Sequence, residues 1–138
     1  MPVKSLPSAV YSIVPKHGEN DCAVACLATI LRREYGEVLA AASRSVRTVW
    51  TDGLTMKEML RVARTLKGCV MLVQTFDPEE DSGVLSVSFR DRAVEHAVVL
   101  IEGWIFDPEH NPVSMWRYED YLAVQNAVPS GLIKEVPK

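Results

Sequence analysis

An α+β fold with the helices first is predicted by three observations on the 138-residue chain. Between Cys22 and Leu66 the apolar residues recur at helical spacing, as on helices that bury one face. From Cys69 onward the apolar runs become short and rich in β-forming residues, as in strands lying inside a sheet. The order of the two regions, helices and then mostly antiparallel strands, points to helices packed on a sheet. One domain over residues 1–138 is expected, because 48% hydrophobic composition with 24% charge suffices to bury a core.

The elements follow in order. Residues 1–15 alternate apolar and polar positions around Pro2, Pro7 and Pro15, which predicts an extended arm that pairs as an edge strand. A first helix is expected from Cys22 to Tyr35, with Asn20 or Asp21 as its N-cap, Val24, Leu27, Ala28 and Leu31 on its buried face, and Gly36 as its stop. A second covers Gly36 to Val49, burying Val38, Leu39, Ala42 and Val46. Trp50-Thr51-Asp52-Gly53 reads as a turn, and Thr55 with Glu58 forms a capping box for a third helix over Met56–Leu66, ended by Gly68.

Cys69–Val73 is the first predicted strand, Asp77–Gly83 an acidic loop, and Val84–Phe89 the next strand up to the charged turn Arg90-Asp91-Arg92. His96–Ile101 and Trp104–Asp107 form a hairpin about Glu102-Gly103, stopped by Pro108. Trp116–Val124 is expected to be a short helix or covering loop, and Leu132–Val136 a last strand that closes the sheet.

Bulk properties narrow the function classes. The net charge of -3, with basic residues scattered, leaves no footprint for nucleic acid and no polybasic membrane patch. No secretory signal and no window of membrane-spanning length stands out, so a cytoplasmic location is expected. The three cysteines, Cys22, Cys26 and Cys69, are too few and odd in number for a disulfide framework. Cys22 and Cys26 lack a second Cys/His cluster, so no metal and no cofactor is expected.

The chemistry is concentrated at two places. Cys22 stands where a polar loop turns into an apolar helix, and free amides at a helix start lower a thiol pKa. A two-residue turn at Glu102-Gly103 sets Val98 opposite Asp107 and places His96 and Asp107 on one face, diagonal to each other, within bridging distance. Asp107 would orient His96, and His96 would take the proton of Cys22. Cys26 reads as a small buried hydrophobe, and His17 and His110 as solvated loop residues. Trp104, Trp116, Tyr118 and Tyr121 read as core or cleft wall.

Asp21-Cys22-x-x-Ala25-Cys26-Leu27-Ala28-x-Ile30-Leu31 resembles the nucleophile helix of the bacteriocin-processing, or double-glycine leader, peptidases, a papain-like cysteine peptidase family. Gly53-Leu54-Thr55-Met56-Lys57-x-x-Leu60-x-x-Ala63-x-x-Leu66 is similar to a second helix of that family, and His96-Ala97-Val98-Val99 with Asp107-Pro108 to its His strand and Asp-Pro turn. The resemblance implies a papain-like fold, Cys22 as nucleophile, His96 as base, Asp107 as the orienting group, and cleavage of a peptide or protein after a pair of small residues. The family's oxyanion-hole Gln, six residues before the cysteine, is replaced by Lys16, and the Gly after the cysteine by Ala23. Lys16 or the adjacent His17 is then the expected donor beside the Cys22 amide; losing one such donor costs about 3 to 4 kcal/mol. A catalytically silent papain-like domain that binds a peptide or protein partner, and a related amidase or transglutaminase-type acyl transferase, are the alternative readings. The oligomeric state is not legible.

Overall fold

The computed structural model describes residues 11–15, 17–18, 21–46, 54–109 and 113–136. Three helices come first: α1 (Cys22–Leu31), α2 (Tyr35–Ser45) and α3 (Met56–Thr65). They are followed by β1 (Val70–Val73), β2 (Gly83–Phe89), β3 (Arg92–Ile101), β4 (Trp104–Asp107) and β5 (Ser114–Arg117). A fourth helix, α4 (Tyr118–Gln125), and the strand β6 (Ala127–Glu135) complete the order. The strands form one antiparallel sheet of six in the order β1-β6-β2-β3-β4-β5. The α+β expectation therefore holds.

Both faces of this sheet are buried, which explains why its central strands are almost wholly apolar. Ala97, Val99 and Ile101 of β3 join Val84 and Ile133 under α1, α2 and α3. Val98 and Leu100 point the other way, with Leu85, Val87 and Leu132, onto Tyr121 of α4. The period-two alternation thus splits one strand between two cores.

Helix ends depart from the expected boundaries. The first helix stops at Leu31, not Tyr35, because Arg32 turns left-handed (φ 55°) and the amides of Arg32 and Arg33 fold back on Thr29 and Ala28. Gly36 is consequently no stop; it lies in the first turn of α2, which runs to Ser45. After α3 the left-handed position is Lys67 (φ 61°), while Gly68 serves close approach, since a Cβ there would lie 2.6 Å from Leu31 Cδ2. In each case a non-glycine residue takes the strained turn, so glycine was a misleading stop signal.

Other elements differ too. Residues 11–15 do not pair as a strand: Val14 donates its amide to Thr29 Oγ1 at 2.9 Å, and Tyr11 lies under Arg32 and donates to Glu135. The last strand begins at Ala127 rather than Leu132 and lies between β1 and β2, not at the edge. Pro129 is tolerated there because the register slips: Ser86 faces Gly131 but Val87 faces Pro129, so Ser130 is the extra residue of a bulge and bonds Ser86. Residues 1–10, the Trp50 turn and the C-terminal part of the expected second helix lie outside the described residues.

The predicted capping box is present. Glu58 donates its amide to Thr55 Oγ1 at 3.2 Å, and the Thr55 amide reaches Glu58 Oε1 at 2.9 Å. Thr55→Ala is expected to cost about 1 kcal/mol by urea denaturation. A change below about 0.3 kcal/mol would show that packing of Met59, Val62 and Ala63 alone sets the start of α3.

Candidate active site

Cys22 opens α1, and α1 packs across β3. The N-cap position is Asp21, as expected, but its side chain makes no cap hydrogen bond. Its carboxylate turns back into the preceding loop, accepting the His17 amide at 2.6 Å, the Gly18 amide at 3.0 Å and the Tyr35 hydroxyl. Burial would raise the Asp21 pKa, but these donors outweigh it and hold the carboxyl below its usual range. The acid beside Cys22 therefore organises the loop and leaves the first-turn amides of α1 uncapped by its carboxylate.

The two-residue turn sets the register of the hairpin. Glu102 and Gly103 both have positive φ (49° and 89°), and Ile101 pairs with Trp104, Leu100 with Ile105 and Val99 with Phe106. Asp107 ends β4, so no β4 residue pairs with His96 or Ala97 on β3. Cys22 meets β3 there, and its sulfur lies beside the Ala97 amide and the His96 imidazole.

His96 Nε2 lies 2.7 Å from Asp107 Oδ1, so Nδ1 is the ring nitrogen left without that carboxylate contact. Asp107 Oδ1 also accepts the Glu109 amide at 2.9 Å, and Oδ2 accepts the Tyr121 hydroxyl at 3.0 Å. Phe89 stacks beside the imidazole at 6.3 Å. The structure thus hydrogen-bonds His96 to Asp107 and brings Cys22 beside the same imidazole.

Electrostatics follow from that chain. For Cys22, burial favours the neutral thiol most strongly, yet the His96 hydrogen bond and charge, with the Ala97 amide, outweigh it and pull the pKa below the ordinary thiol value. Burial likewise opposes charge on His96, but Asp107 and Cys22 together push its pKa up to about 10. Asp107, which burial would push up, is held low by His96, the Glu109 amide and Tyr121. The arrangement favours a thiolate–imidazolium pair backed by a carboxylate, a combination suited to nucleophilic attack and proton return.

The remaining candidates fall elsewhere. Cys26 is completely buried, and burial followed by the charges of Cys22 and Asp107 pushes its thiol well above the ordinary value, as for an inert core residue. Cys69 is exposed. His17 stacks on Tyr35 with ring centroids 3.8 Å apart and lines a groove with Ser12, Val14, Ala28, Arg32, Arg33 and Glu34. Cys22 does not line that groove, and stacking rather than solvation alone fixes the His17 ring. Lys16 and His110 lie outside the described residues.

Sequence reasoning missed three supports: Tyr35 on Asp21, the Glu109 amide on Asp107, and Tyr121 on Asp107. The second was accessible, because Asp-Pro-Glu at a strand end favours a carboxylate that caps the amide two residues on. The tyrosines carry no comparable local signal. Among the described residues, no helix is long and apolar enough to cross a membrane, and no group of three or more His, Cys, Asp or Glu could hold a metal ion. A family model for the Peptidase C39 family matches residues 10–119. No curated protein matches the chain significantly.

Proposed function

The chain belongs to the Peptidase C39 family of papain-like cysteine peptidases, and from that premise we propose that it cleaves a peptide or protein through a triad of Cys22, His96 and Asp107. The observation that carries this reading is the 2.7 Å contact of His96 Nε2 with Asp107 Oδ1, made while the same imidazole lies beside Cys22. Asp107 holds the ring so that Nδ1 addresses the sulfur.

Catalysis then runs in two halves. The Cys22 thiolate attacks the scissile carbonyl carbon, forming a C–S bond and an oxyanion. The His96 imidazolium gives its Nδ1 proton to the leaving nitrogen, the C–N bond breaks, and an acyl thioester remains on Cys22. Neutral His96 next takes a proton from water, the hydroxide attacks the thioester carbonyl, and the C–S bond breaks to release the acid and restore the pair. The Cys22 amide supplies one donor to the oxyanion, and Lys16 or the adjacent His17 the second, in place of the family's Gln.

The test is incubation of the full chain with a mixed peptide library, followed by mass spectrometry, beside Cys22→Ala. New termini that appear with the wild type and are absent with Cys22→Ala are expected. Alkylation by iodoacetamide at pH 6 should mark Cys22 well ahead of the exposed Cys69. A Cys22 that reacts no faster than Cys69 there would overturn the reading, and a reactive Cys22 with no cleavage of any peptide would turn it toward acyl transfer.

A further inference from the structure

We propose that Tyr121 is a positioning residue for this reaction: its hydroxyl fixes the Asp107 carboxylate, and through it the His96 ring, against Cys22. This inference rests on the triad reading above. Asp107 Oδ1 receives two donors, His96 Nε2 at 2.7 Å and the Glu109 amide at 2.9 Å, whereas the Tyr121 hydroxyl donates to Oδ2 at 3.0 Å. Two donors on one oxygen restrain the carboxylate from one side only, about a last torsion whose own profile is broad and shallow. A donor on the second oxygen narrows the rotation further.

The fold makes Tyr121 a rigid donor. Asp107 is the last residue of β4, so the strand ladder does not continue past it. Tyr121 comes from α4, which follows β5 directly and is tied to the hairpin turn by the Tyr118 amide on the Gly103 carbonyl at 2.9 Å. Its ring is 1% exposed and meets Trp116 edge-on with centroids 6.0 Å apart. A phenol buried this deeply needs a polar partner for its hydroxyl, and Asp107 Oδ2 is one. Tyr121 also lies beyond residues 10–119, the span matched by the family model, so the match itself assigns it no role.

The experiment follows Cys22 alkylation by iodoacetamide from pH 4 to 9 in the full chain, carrying Cys69→Ser to silence the exposed thiol. Tyr121→Phe keeps the ring and removes the hydroxyl. Glu109 and Cys26, the other titratable groups coupled to Cys22, remain in place. With His96 less well held, the acid limb of the alkylation profile should move up by about half to one pH unit, a loss of about 3- to 10-fold in rate below the limb. Asp107→Asn should shift the limb as well, and adding Tyr121→Phe to it should change the rate less than about 2-fold, because the two act as one unit.

A limb that stays in place in Tyr121→Phe, whatever happens to thermal stability, would reduce Tyr121 to a core residue and overturn the proposal. Independent, additive losses in the double variant would overturn it too. A wild type with no activated thiol removes the triad reading and this inference together. An activated wild type matched by Tyr121→Phe removes the inference alone.

Discussion

His96→Ala should lower the rate of peptide cleavage by at least about 10³-fold, on the peptide that the wild type cleaves fastest in the library. The expected loss is large because the proposed reaction uses His96 twice, to hold the thiolate and to protonate the leaving nitrogen. Burial is the strongest influence on the Cys22 thiol, and it acts upward; the lowered pKa exists only because His96 and the Ala97 amide overcome it. Without the imidazole, Cys22 should become harder to ionise than an exposed thiol, and alkylation at pH 6 should fall below that of Cys69. A variant that still labels rapidly at pH 6 would assign thiol activation to the helix start and the Ala97 amide instead.

The same coupling sets a pH window. In the wild type the acid limb should report formation of the proposed Cys22–His96 ion pair, and the alkaline limb loss of the imidazolium proton near the raised value of about 10. For stability the sign follows from the direction of each shift. His96 binds its proton more tightly folded than unfolded, so its contribution is fully present below the unfolded value of about 6.5 and lost as pH rises through about 10. Asp107 shifts the opposite way; its contribution is present above the unfolded value of about 3.9 and lost as pH falls through its lowered folded value. His96→Ala should remove the alkaline part of this dependence, which thermal unfolding across pH 7 to 11 would read.

The pairing of His96 with Asp107 was legible because a two-residue turn leaves little freedom. Glu102-Gly103 sets the register, and period-two alternation then decides which side chains share a face. Cys22 was legible as a change of chemistry at a helix start. The end of α1 was not, because Arg32 takes a left-handed conformation that a sequence reader assigns to glycine, and it does so where Arg33 anchors to the Leu66 carbonyl at 2.9 Å. Neither could local pattern show that β6 inserts between β1 and β2; that position is decided by pairing partners 38 to 65 residues away, and Pro129 argues locally against it. Tyr121 was read as core or cleft wall, which its ring is, and Tyr35 only as the end of the first helix. Their hydroxyls act through acids 14 residues distant in each case, a relation that only the tertiary structure creates.

Gly83→Ala should destabilise the whole domain by about 3 kcal/mol or more, the upper end for an overpacked site. Gly83 opens β2 and pairs with Leu100 of β3 on one side and Lys134 of β6 on the other. A Cβ at this position would lie 2.0 Å from the Ile133 carbonyl oxygen and 2.9 Å from the Lys134 Cα, both backbone atoms of the neighbouring strand. No rotamer change relieves that overlap, so β2 and β6 must separate. They are poorly free to do so, since β6 carries Leu132 and Ile133 into the two opposite cores, and Lys134 is tied to Asp81 at 2.9 Å. Separation would break the pairing at the centre of the sheet, and β3 with His96 is the next strand along. Urea denaturation should show a lower midpoint with an unchanged slope, whereas the pH profile of Cys22 alkylation in the remaining folded protein should keep its limbs. That contrast separates a loss of fold from a loss of the His96 coupling. A midpoint change worth less than about 1 kcal/mol would mean that the strands part locally without disturbing either core.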